Sequence, residues 1–235
     1  MNRDNSAAEN NFYDEWWNCP EDGGDAGMEA DHLAHWEHVI SYIDHSFKPS
    51  DVILDFGCNR GGLMRMMYDR TPFAAGVGID RARKSIAYAE ANKGSRPLRY
   101  ELGDSADAYS DYFDFAISTA VIYLIQDLAP HAKSIFNALK PGGVYYAQHP
   151  DYSAYPNQAE MVRAIDSYAA IPTQLNTMDQ IAQCFANAGF KVAVRRIPPR
   201  GFIPFTPGGM WYSSIYDKMA ANYDHAYMFK LTKPV

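Results

Sequence analysis

The fold is decided by the stretch Asp51-Val52-Ile53-Leu54-Asp55-Phe56-Gly57-Cys58-Asn59-Arg60-Gly61-Gly62. Residues 52–56 are apolar apart from Asp55, and this pattern predicts a buried central strand. Glycines end the strand in a tight turn, and residues 63–67 are mostly good helix formers. This order places backbone N–H groups and a positive helix N-terminus at the carboxyl end of a strand. A polar or anionic ligand group can be held there without side chains.

The short motif alone admits more than one interpretation. A dinucleotide-binding turn has the pattern G-x-G-x-x-G, which Gly57, Asn59 and Gly62 fill with one glycine missing. That pattern does not call for an acidic residue two places before its first glycine. A strand-to-helix turn that binds no ligand, in some other α/β protein, is also compatible with these residues.

The same residues resemble motif I of the class I S-adenosylmethionine (SAM) dependent methyltransferases, in which an acidic residue precedes glycines at alternate positions. Asp55, Gly57 and Gly61 match this motif, and Asn59 stands where the family usually has its middle glycine. Asn adopts left-handed backbone conformations more readily than most residues, so the turn can be retained. The resemblance implies that these four residues bind SAM as the cofactor.

A second acidic position follows at the end of the next predicted strand, residues 75–80. Asp80 lies 25 residues after Asp55, which suits one strand–helix–strand unit. An acid at this tip can accept hydrogen bonds from both hydroxyls of a ribose. In the family this position is motif II, and Arg81 beside it is a further cofactor candidate. A purely structural alternative is that Asp80 caps the helix predicted from residue 83.

The third and fourth predicted strands add three cofactor candidates. Residues 98–102 run into Gly103-Asp104-Ser105, and in the family resembled here the acid at this place commonly hydrogen-bonds the adenine amino group. Ser105 is then a neighbouring backbone donor. Residues 112–119 resemble the fourth strand of the family, which puts Thr119 at its tip.

The remaining order of elements predicts the fold class. The sequence Leu139-Lys140-Pro141-Gly142-Gly143 is typical of a helix stop and turn before a fifth strand, and a helix ending at Gly189 precedes a sixth strand at 190–197. Residues 226–231 form the last predicted strand. The resemblance implies an α/β, Rossmann-like, doubly wound sheet of seven mostly parallel strands. It also implies an antiparallel last strand and helices on both faces.

The resemblance to the methyltransferase family predicts two regions of the chain. Residues 1–48 form an N-terminal lid or cap segment whose first 11 residues are expected to be disordered, since they offer little to bury. Residues 49–235 form the methyltransferase domain, with acceptor-side insertions near 150–176 and 198–224. In the family such N-terminal segments often fold over the cofactor. Tyr13 is therefore a cofactor candidate and Trp17 an acceptor candidate.

The catalytic and acceptor candidates follow the fifth strand or lie in the second insertion. His149 is the candidate general base, because an imidazole with an ordinary pKa near 6.5 suits proton transfer at neutral pH. A loop histidine bonded to the adjacent turn is the structural alternative. The other candidates, chosen by position and aromatic character, are Asp151, Tyr152, Trp211 and Tyr212.

A histidine-rich helix is predicted before the first strand, over residues 30–43. His32, His35 and His38 recur at i, i+3 and i+6 and spread over about a third of the helix circumference. A metal site is conceivable, but i, i+4 pairs are the more usual helical ligands, and no metal is predicted. Solvated histidines, or one that faces the pocket, are the favoured interpretation.

Composition limits the class of protein. The net charge of −7 gives no electrostatic indication of nucleic acid. Three unpaired cysteines argue against a disulfide framework and a structural zinc site, which favours a cytoplasmic protein. Neither an apolar signal sequence nor a membrane-spanning run is visible. The oligomeric state is not predicted.

The expected function is transfer of a methyl group from SAM to a small-molecule acceptor through an oxygen, nitrogen or carbon nucleophile, with an aromatic acceptor as one possibility. One alternative is a protein of this fold that binds SAM without transferring its methyl group, as a scaffold or a catalyst of another reaction. An NAD-dependent oxidoreductase is the other, and the spacing from Asp55 to Gly61 disfavours it.

Overall fold

The computed structural model describes residues 12–235, so the disorder expected for residues 1–11 concerns a segment outside the described residues. Its centre is a seven-stranded sheet with the order β3-β2-β1-β4-β5-β7-β6. The strands are β1 Val52–Phe56, β2 Ala75–Asp80, β3 Leu98–Leu102, β4 Phe113–Thr119, β5 Leu139–Pro150, β6 Lys191–Arg196 and β7 Ala226–Thr232.

A helix connects most successive parallel strands along the chain, whereas β3 is followed by β4 through a loop. Helical connections of this kind produce right-handed crossovers that cover both faces of a parallel sheet. The helices are α1 Gly24–Ile40, α2 Gly62–Arg70, α3 Arg83–Asn92, α4 Leu128–Ala138, α5 Gln158–Asp166, α6 Met178–Asn187 and α7 Ile215–Tyr223.

The strand directions confirm the predicted fold class. β1 lies between β2 and β4 and is parallel to both, and β2 with β3 and β4 with β5 are also parallel pairs. β7 lies between β5 and β6 and is antiparallel to both. Because β1, β2, β3 and β4 all run in the same direction, the turns that follow them lie at the same edge of the sheet.

The core is divided by the sheet into two layers. Successive side chains of a strand point to opposite faces, so Leu54 packs with Ile135 on one face and Ile53 packs with Met64 on the other. All four side chains are fully buried. The central strand is therefore covered on both faces, as its apolar sequence predicted.

Several predicted boundaries differ from the structure. The histidine-bearing helix is Gly24–Ile40 and not 30–43, and the first insertion contains the helix Gln158–Asp166. The predicted Pro-Gly-Gly turn lies inside the long strand β5, where Gly142 has a φ of 80° and the pairing with β4 shifts register. Within the described chain, no helix combines the length and apolar character required to cross a bilayer.

Candidate functional site

A large cavity of about 720 Å³ lies at the carboxyl edge of the parallel strands. Its wall is formed by the turns after β1 to β4, by α1 and α5, and by the segment before α7. Open α/β sheets hold their ligands at this edge. Of the predicted site residues, the wall contains Tyr13, Trp17, Gly57, Asn59, Asp80, Arg81, Asp104, Ser105, Thr119, Tyr152, Trp211 and Tyr212.

The turn after β1 depends on three left-handed residues. Gly57, Asn59 and Gly61 have φ values of 76°, 45° and 75°. A Cβ on Gly57 would lie 2.5 Å from the Val121 side chain, and one on Gly61 would lie 2.5 Å from the Tyr100 ring. Gly57 therefore leaves space at the cavity wall, whereas Gly61 is required for packing beneath the turn. Asn59 supplies the conformation that the missing glycine would otherwise adopt.

Asp80 links the loops that follow β1 and β2. Its Oδ2 accepts a hydrogen bond from the Asn59 N–H at 2.7 Å, and its Oδ1 accepts one from the Ala82 N–H at 2.8 Å. Burial raises the pKa of this carboxyl to about 6 although both hydrogen bonds lower it. The N-cap of α3 is Ala82, so Asp80 is not the cap. Each carboxylate oxygen retains capacity for a further donor from the cavity.

Two of the predicted cofactor contacts lie outside the cavity wall. Asp55 is 2% exposed, and burial together with the charge of Asp80 raises its pKa to about 8. Its Oδ2 has no hydrogen-bond partner within residues 12–235. Gly61 is covered by Tyr100. In the structure Asp55 and Gly61 thus lie beneath the turn, and their predicted contact with the cofactor stays a prediction.

The other residues of the cofactor end surround Asp80. Asp104 and Ser105 follow β3, and Thr119 ends β4. The Arg81 guanidinium lies 5.8 Å from the centroid of the Tyr13 ring. Burial raises the pKa of the Tyr13 hydroxyl, and the charge of Asp80 raises it further, so this phenol stays protonated. The turns that sequence order brought together thus form one polar end of the cavity.

Residues 12–18, which we call the strap, run along the cavity between β2 and the end of α5. Backbone hydrogen bonds fix both of its ends, in the same way that an added strand is held at a sheet edge. These bonds run from Tyr13 N–H to Arg81 O (3.1 Å), Arg83 N–H to Tyr13 O (2.8 Å), Asn18 N–H to Tyr168 O (3.0 Å) and Ala170 N–H to Trp16 O (2.9 Å).

A buried carboxylate holds the middle of the strap. Asp25 is 3% exposed, and its Oδ1 accepts a hydrogen bond from the Trp17 N–H at 2.9 Å. Its Oδ2 accepts from the Trp16 N–H at 3.1 Å and from the Ser85 hydroxyl at 2.6 Å. The strap, α1 and α3 are therefore joined through one side chain.

Aromatic rings enclose the end of the cavity where the strap pairs with the segment that follows α5. The Trp17 ring centroid lies 5.5 Å from that of Trp16 and 5.6 Å from that of Trp211, and Tyr123 packs edge-on against Tyr152 at 4.8 Å. The Trp17 indole N–H also donates to Asp22 at 2.7 Å. We call this end the aromatic chamber, lined by Trp16, Trp17, Tyr123, Tyr152, Met161, Ile165, Trp211 and Tyr212.

The predicted base His149 is corrected by its position. It is 1% exposed, lies outside the cavity wall, and pairs in the sheet with Tyr227. Strand alternation places it on the face of Tyr145, within the core, and burial lowers its pKa to about 4. Neither ring nitrogen has a hydrogen-bond partner in the described part of the chain. A buried side chain without access to the cavity cannot exchange a proton with an acceptor there.

Asp151, a predicted acceptor residue, likewise lies outside the cavity. It is 5% exposed and does not line the cavity. Its side chain accepts a hydrogen bond from the Ser153 hydroxyl, and its N–H donates to His225 O at 2.8 Å. These bonds fix the short turn after β5, which is a structural role.

Residues of α1 line the cavity, although they were not among the predicted site residues. Met28, His32 and Trp36 recur at i, i+4 and i+8, so they share one face of the helix, and all three lie in the wall with Asp31. Burial lowers the pKa of His32 below its ordinary value, while the charge of Asp31 raises it. No metal-binding group of three His, Cys, Asp or Glu side chains occurs among residues 12–235.

The comparison with known families decides the identity of this arrangement. A family profile described as "Methyltransferase domain" matches residues 28–193, well over half of the chain. This chain belongs to the class I SAM-dependent methyltransferases. The matched region extends from α1 to β6, so it includes every strand of the cofactor end. The family, the fold and SAM as the cofactor are confirmed.

Curated relatives are also methyltransferases. The chain is 28% identical to the trans-aconitate 2-methyltransferase of Variovorax paradoxus over 131 residues, which is 55% of this chain and 49% of that protein. It is 31% identical to phosphoethanolamine N-methyltransferase 1 of Zea mays over 153 residues, 62% of this chain and 29% of that protein. The chain thus spans about half, or less, of the length of the curated relatives it matches.

Solved structures support the methyltransferase fold. A chain of the complex between the Haloferax volcanii Trm112 methyltransferase activator and a methyltransferase aligns with a TM-score of 0.75 at 19% identity, covering 90% of this chain and 94% of that one. The Haemonchus contortus phosphoethanolamine N-methyltransferase 2 in complex with SAM aligns with a TM-score of 0.66 at 18% identity, covering 90% and 57%. These similarities concern the fold alone.

The residues of this methyltransferase fit its cofactor chemically. The turn at Gly57 has no side chain where a Cβ would meet Val121, which leaves room beside the backbone. Asp80 offers acceptor capacity to hydroxyl donors at the tip of β2, and Asp104 lies after β3. Acidic side chains also suit a ligand that carries a sulfonium and an ammonium group.

Proposed function

We propose that this chain transfers the methyl group of SAM to a small-molecule acceptor held in the aromatic chamber. The observation that carries the proposal is that one cavity is lined both by Gly57, Asn59 and Asp80 of the cofactor end and by the residues of the aromatic chamber. Its volume of about 720 Å³ falls in the range of small-molecule sites. A cofactor at the glycine turn would then face an acceptor among the rings.

SAM supplies a methyl carbon made electrophilic by the sulfonium, so the acceptor atom forms the new bond as the C–S bond breaks and its electron pair stays on sulfur. The residues of the chain bind and orient. Asp80 would accept hydrogen bonds from the ribose hydroxyls and Asp104 one from the adenine amino group. The backbone of Gly57 would lie against the cofactor.

The chamber would contribute alignment and exclusion of water. Its rings pack on one another, and the strap that carries Trp16 and Trp17 is hydrogen-bonded at both ends. An acceptor surrounded in this way has few orientations open to it. For well-oriented reacting groups such positioning can contribute roughly 7–11 kcal/mol.

His32 would serve as proton acceptor where the nucleophile carries a proton. It lies in the cavity wall, unlike His149, and its lowered pKa keeps it neutral at pH 7. A neutral imidazole has a free lone pair and can accept the proton that an acceptor loses. The neighbouring Asp31 would stabilise the imidazolium that results.

The acceptors named for the relatives do not transfer directly to this chain. Trans-aconitate and phosphoethanolamine carry anionic groups at neutral pH, and buried anions need Arg, Lys or metal partners. The only Lys or Arg in the cavity wall formed by the described residues is Arg81, which follows β2 at the cofactor end. An acceptor without an anionic group therefore suits the chamber better.

The test is calorimetric titration of SAM and S-adenosylhomocysteine into wild type, Asp80→Asn and Asp80→Ala. Wild type should bind both ligands, and Asp80→Ala should bind at least about tenfold more weakly, because each charge-assisted hydrogen bond contributes roughly 1.5–3 kcal/mol. Asp80→Asn keeps the size of the side chain but removes its charge and can retain only one of the two loop hydrogen bonds, so its affinity should lie at or below that expected from the loss of charge alone. Absence of SAM binding to folded wild type would refute the proposal.

Turnover is tested separately from binding. Candidate acceptors are incubated with SAM, and S-adenosylhomocysteine release is measured for wild type, His32→Gln and His149→Gln. A proton-bearing acceptor should lose turnover in His32→Gln with SAM affinity retained, while His149→Gln keeps activity in proportion to its folded fraction. SAM binding without methyl transfer to any small acceptor would favour the alternative of a binding protein or another reaction.

A further inference from the structure

The charges of the cavity wall are strongly one-sided. Six aspartates line it, against one arginine and no lysine in the described part of the chain. Arg81 belongs to the cofactor end, since it directly follows β2 and stacks on Tyr13. The aspartates are Asp22, Asp31, Asp80, Asp104, Asp107 and Asp127.

Two of these carboxylates, Asp22 and Asp31, precede β1 and lie outside the turns that form the cofactor end. Asp22 accepts the indole N–H of Trp17, so it lies against a chamber ring. Asp31 is next to His32 on the helix face that lines the cavity. An anionic ligand would be repelled here, while a cation would be attracted to both carboxylates.

The chamber rings also favour a positively charged ligand. Aromatic faces are negative, and Trp is the strongest partner for an ammonium group. Trp16 and Trp211 each lie within stacking distance of Trp17, and Tyr123 and Tyr152 add two phenols. The chamber therefore combines π faces with nearby carboxylates, which is the chemistry that recognises a cationic nitrogen.

We propose that the acceptor is a small amine whose cationic nitrogen is recognised by the chamber rings together with Asp31. This inference rests on the proposed function and narrows it to one charge class of acceptor. For methylation the bound ammonium would first give a proton to His32. The amine lone pair would then form the C–N bond as the methyl C–S bond of SAM breaks, with its electron pair kept by sulfur. The negative charges of the aspartates in the cavity wall disfavour acceptors that carry a carboxylate or phosphate group.

The experiment measures the binding of three probes of similar size to the enzyme saturated with S-adenosylhomocysteine. The probes are 2-phenylethylamine, 2-phenylethanol and phenylacetate, and the readout is quenching of the chamber tryptophans. The amine should bind roughly tenfold more tightly than the alcohol, the range expected for a desolvated cation–π site, and phenylacetate should bind most weakly.

The variant Asp31→Asn tests whether Asp31 is the carboxylate that binds the cationic nitrogen. We expect this variant to reduce the preference for amine over alcohol to less than about threefold while the affinity for 2-phenylethanol is unchanged, because only the cation loses its partner. Asp179→Asn makes the same charge change at an exposed site of α6 and should leave the preference intact. Trp211→Ala should weaken the amine more than the alcohol.

The outcomes separate this inference from the function on which it rests. If S-adenosylhomocysteine fails to bind, the proposed function and this inference are both overturned. If it binds but the amine shows no preference, no binding, or weaker binding than phenylacetate, only the amine assignment is overturned. A preference that survives in Asp31→Asn and in Trp211→Ala also overturns it, because the site would lie elsewhere.

Discussion

The two ends of the cavity are built in different ways. At the cofactor end, backbone conformation and short turns after parallel strands form the site, and Gly57 acts by having no side chain. In the chamber, large side chains form the wall, and they come from the strap, the loop after β4, α5 and the segment before α7. The first end is a property of the fold, whereas the second depends on particular aromatic residues.

This difference predicts how each end responds to substitution. A backbone site loses its shape when a side chain is added, because the turn cannot yield without moving the strands that carry it. A chamber made of side chains tolerates additions and changes its ligand preference instead. Ligand affinity at one end should therefore vary independently of ligand affinity at the other.

The largest effect is expected for Gly57→Ala. The methyl group would lie 2.5 Å from the Val121 side chain, and the φ of 76° is unfavourable for any L residue, by about 1–2 kcal/mol. SAM affinity should fall by about 100-fold, which corresponds to about 2.7 kcal/mol. The measurement is calorimetric titration of SAM into the folded variant.

Gly208→Ala is the matched control for that substitution. Gly208 has nearly the same φ, 75°, but no atom lies within 4 Å of its Cβ position. It should lose stability through backbone strain and keep its SAM affinity. Equal SAM affinity in Gly57→Ala and wild type would show that SAM binding at the cofactor end does not depend on the backbone shape at Gly57.

A smaller effect is expected where the two ends are joined, at Asp25. In Asp25→Asn one carboxylate oxygen becomes an NH₂ group, which cannot accept from the strap N–H groups. Loss of one such bond costs roughly 1–3 kcal/mol, and the strap should open more often. SAM release should accelerate roughly tenfold, measured by stopped-flow tryptophan fluorescence.

Ser85→Ala tests whether the strap itself, or the attachment of Asp25 to α3, controls the release of SAM. This variant removes one donor to Asp25 Oδ2 and leaves the hydrogen bonds from Trp16 and Trp17 in place. Its SAM release rate should stay closer to that of wild type. An equal acceleration in both variants would mean that α3, and not the strap, controls cofactor release.

The contrast between the two ends also explains what the sequence could predict. Gly57, Asp80 and Asp104 lie at fixed places relative to predicted strands, and parallel strands bring their carboxyl ends together. The fold class was predicted from the same order of strands and turns. Asn59 was correctly expected to be compatible with the turn, because its residue type permits the φ of 45° that it adopts.

The acceptor side was harder to predict because its residues are distant in sequence. His149 lies two residues before Asp151 on a strand whose end seemed to reach the ligand edge, yet strand alternation turns the imidazole into the core. His32 was recognised as one of three helical histidines, one of which was expected to face the pocket, but the sequence did not indicate which. The spacing of Met28, His32 and Trp36 contained a signal for one common face, but the face that a helix turns toward a cavity is set by tertiary packing.

The smallest predicted effect concerns pH and the two roles of Asp80. Its pKa of about 6 in the folded chain lies above the ordinary value of about 3.9, so the folded state binds more protons between these values. The contribution of Asp80 to stability is therefore fully present below about pH 4 and is lost as the pH rises through about 6. Ligand binding should show the opposite trend, since ribose hydroxyls require the ionised carboxylate.

SAM affinity should consequently fall by about fourfold between pH 7 and pH 5.5, following the ionised fraction of a group with a pKa near 6. Asp80→Asn should bind weakly at both pH values and show no such change. The affinity of the chamber for 2-phenylethanol should not vary in this pH range, because no carboxylate is needed to hold an uncharged ring. A parallel loss of both affinities at low pH would mean that protonation opens the strap and that the two ends of the cavity are not independent.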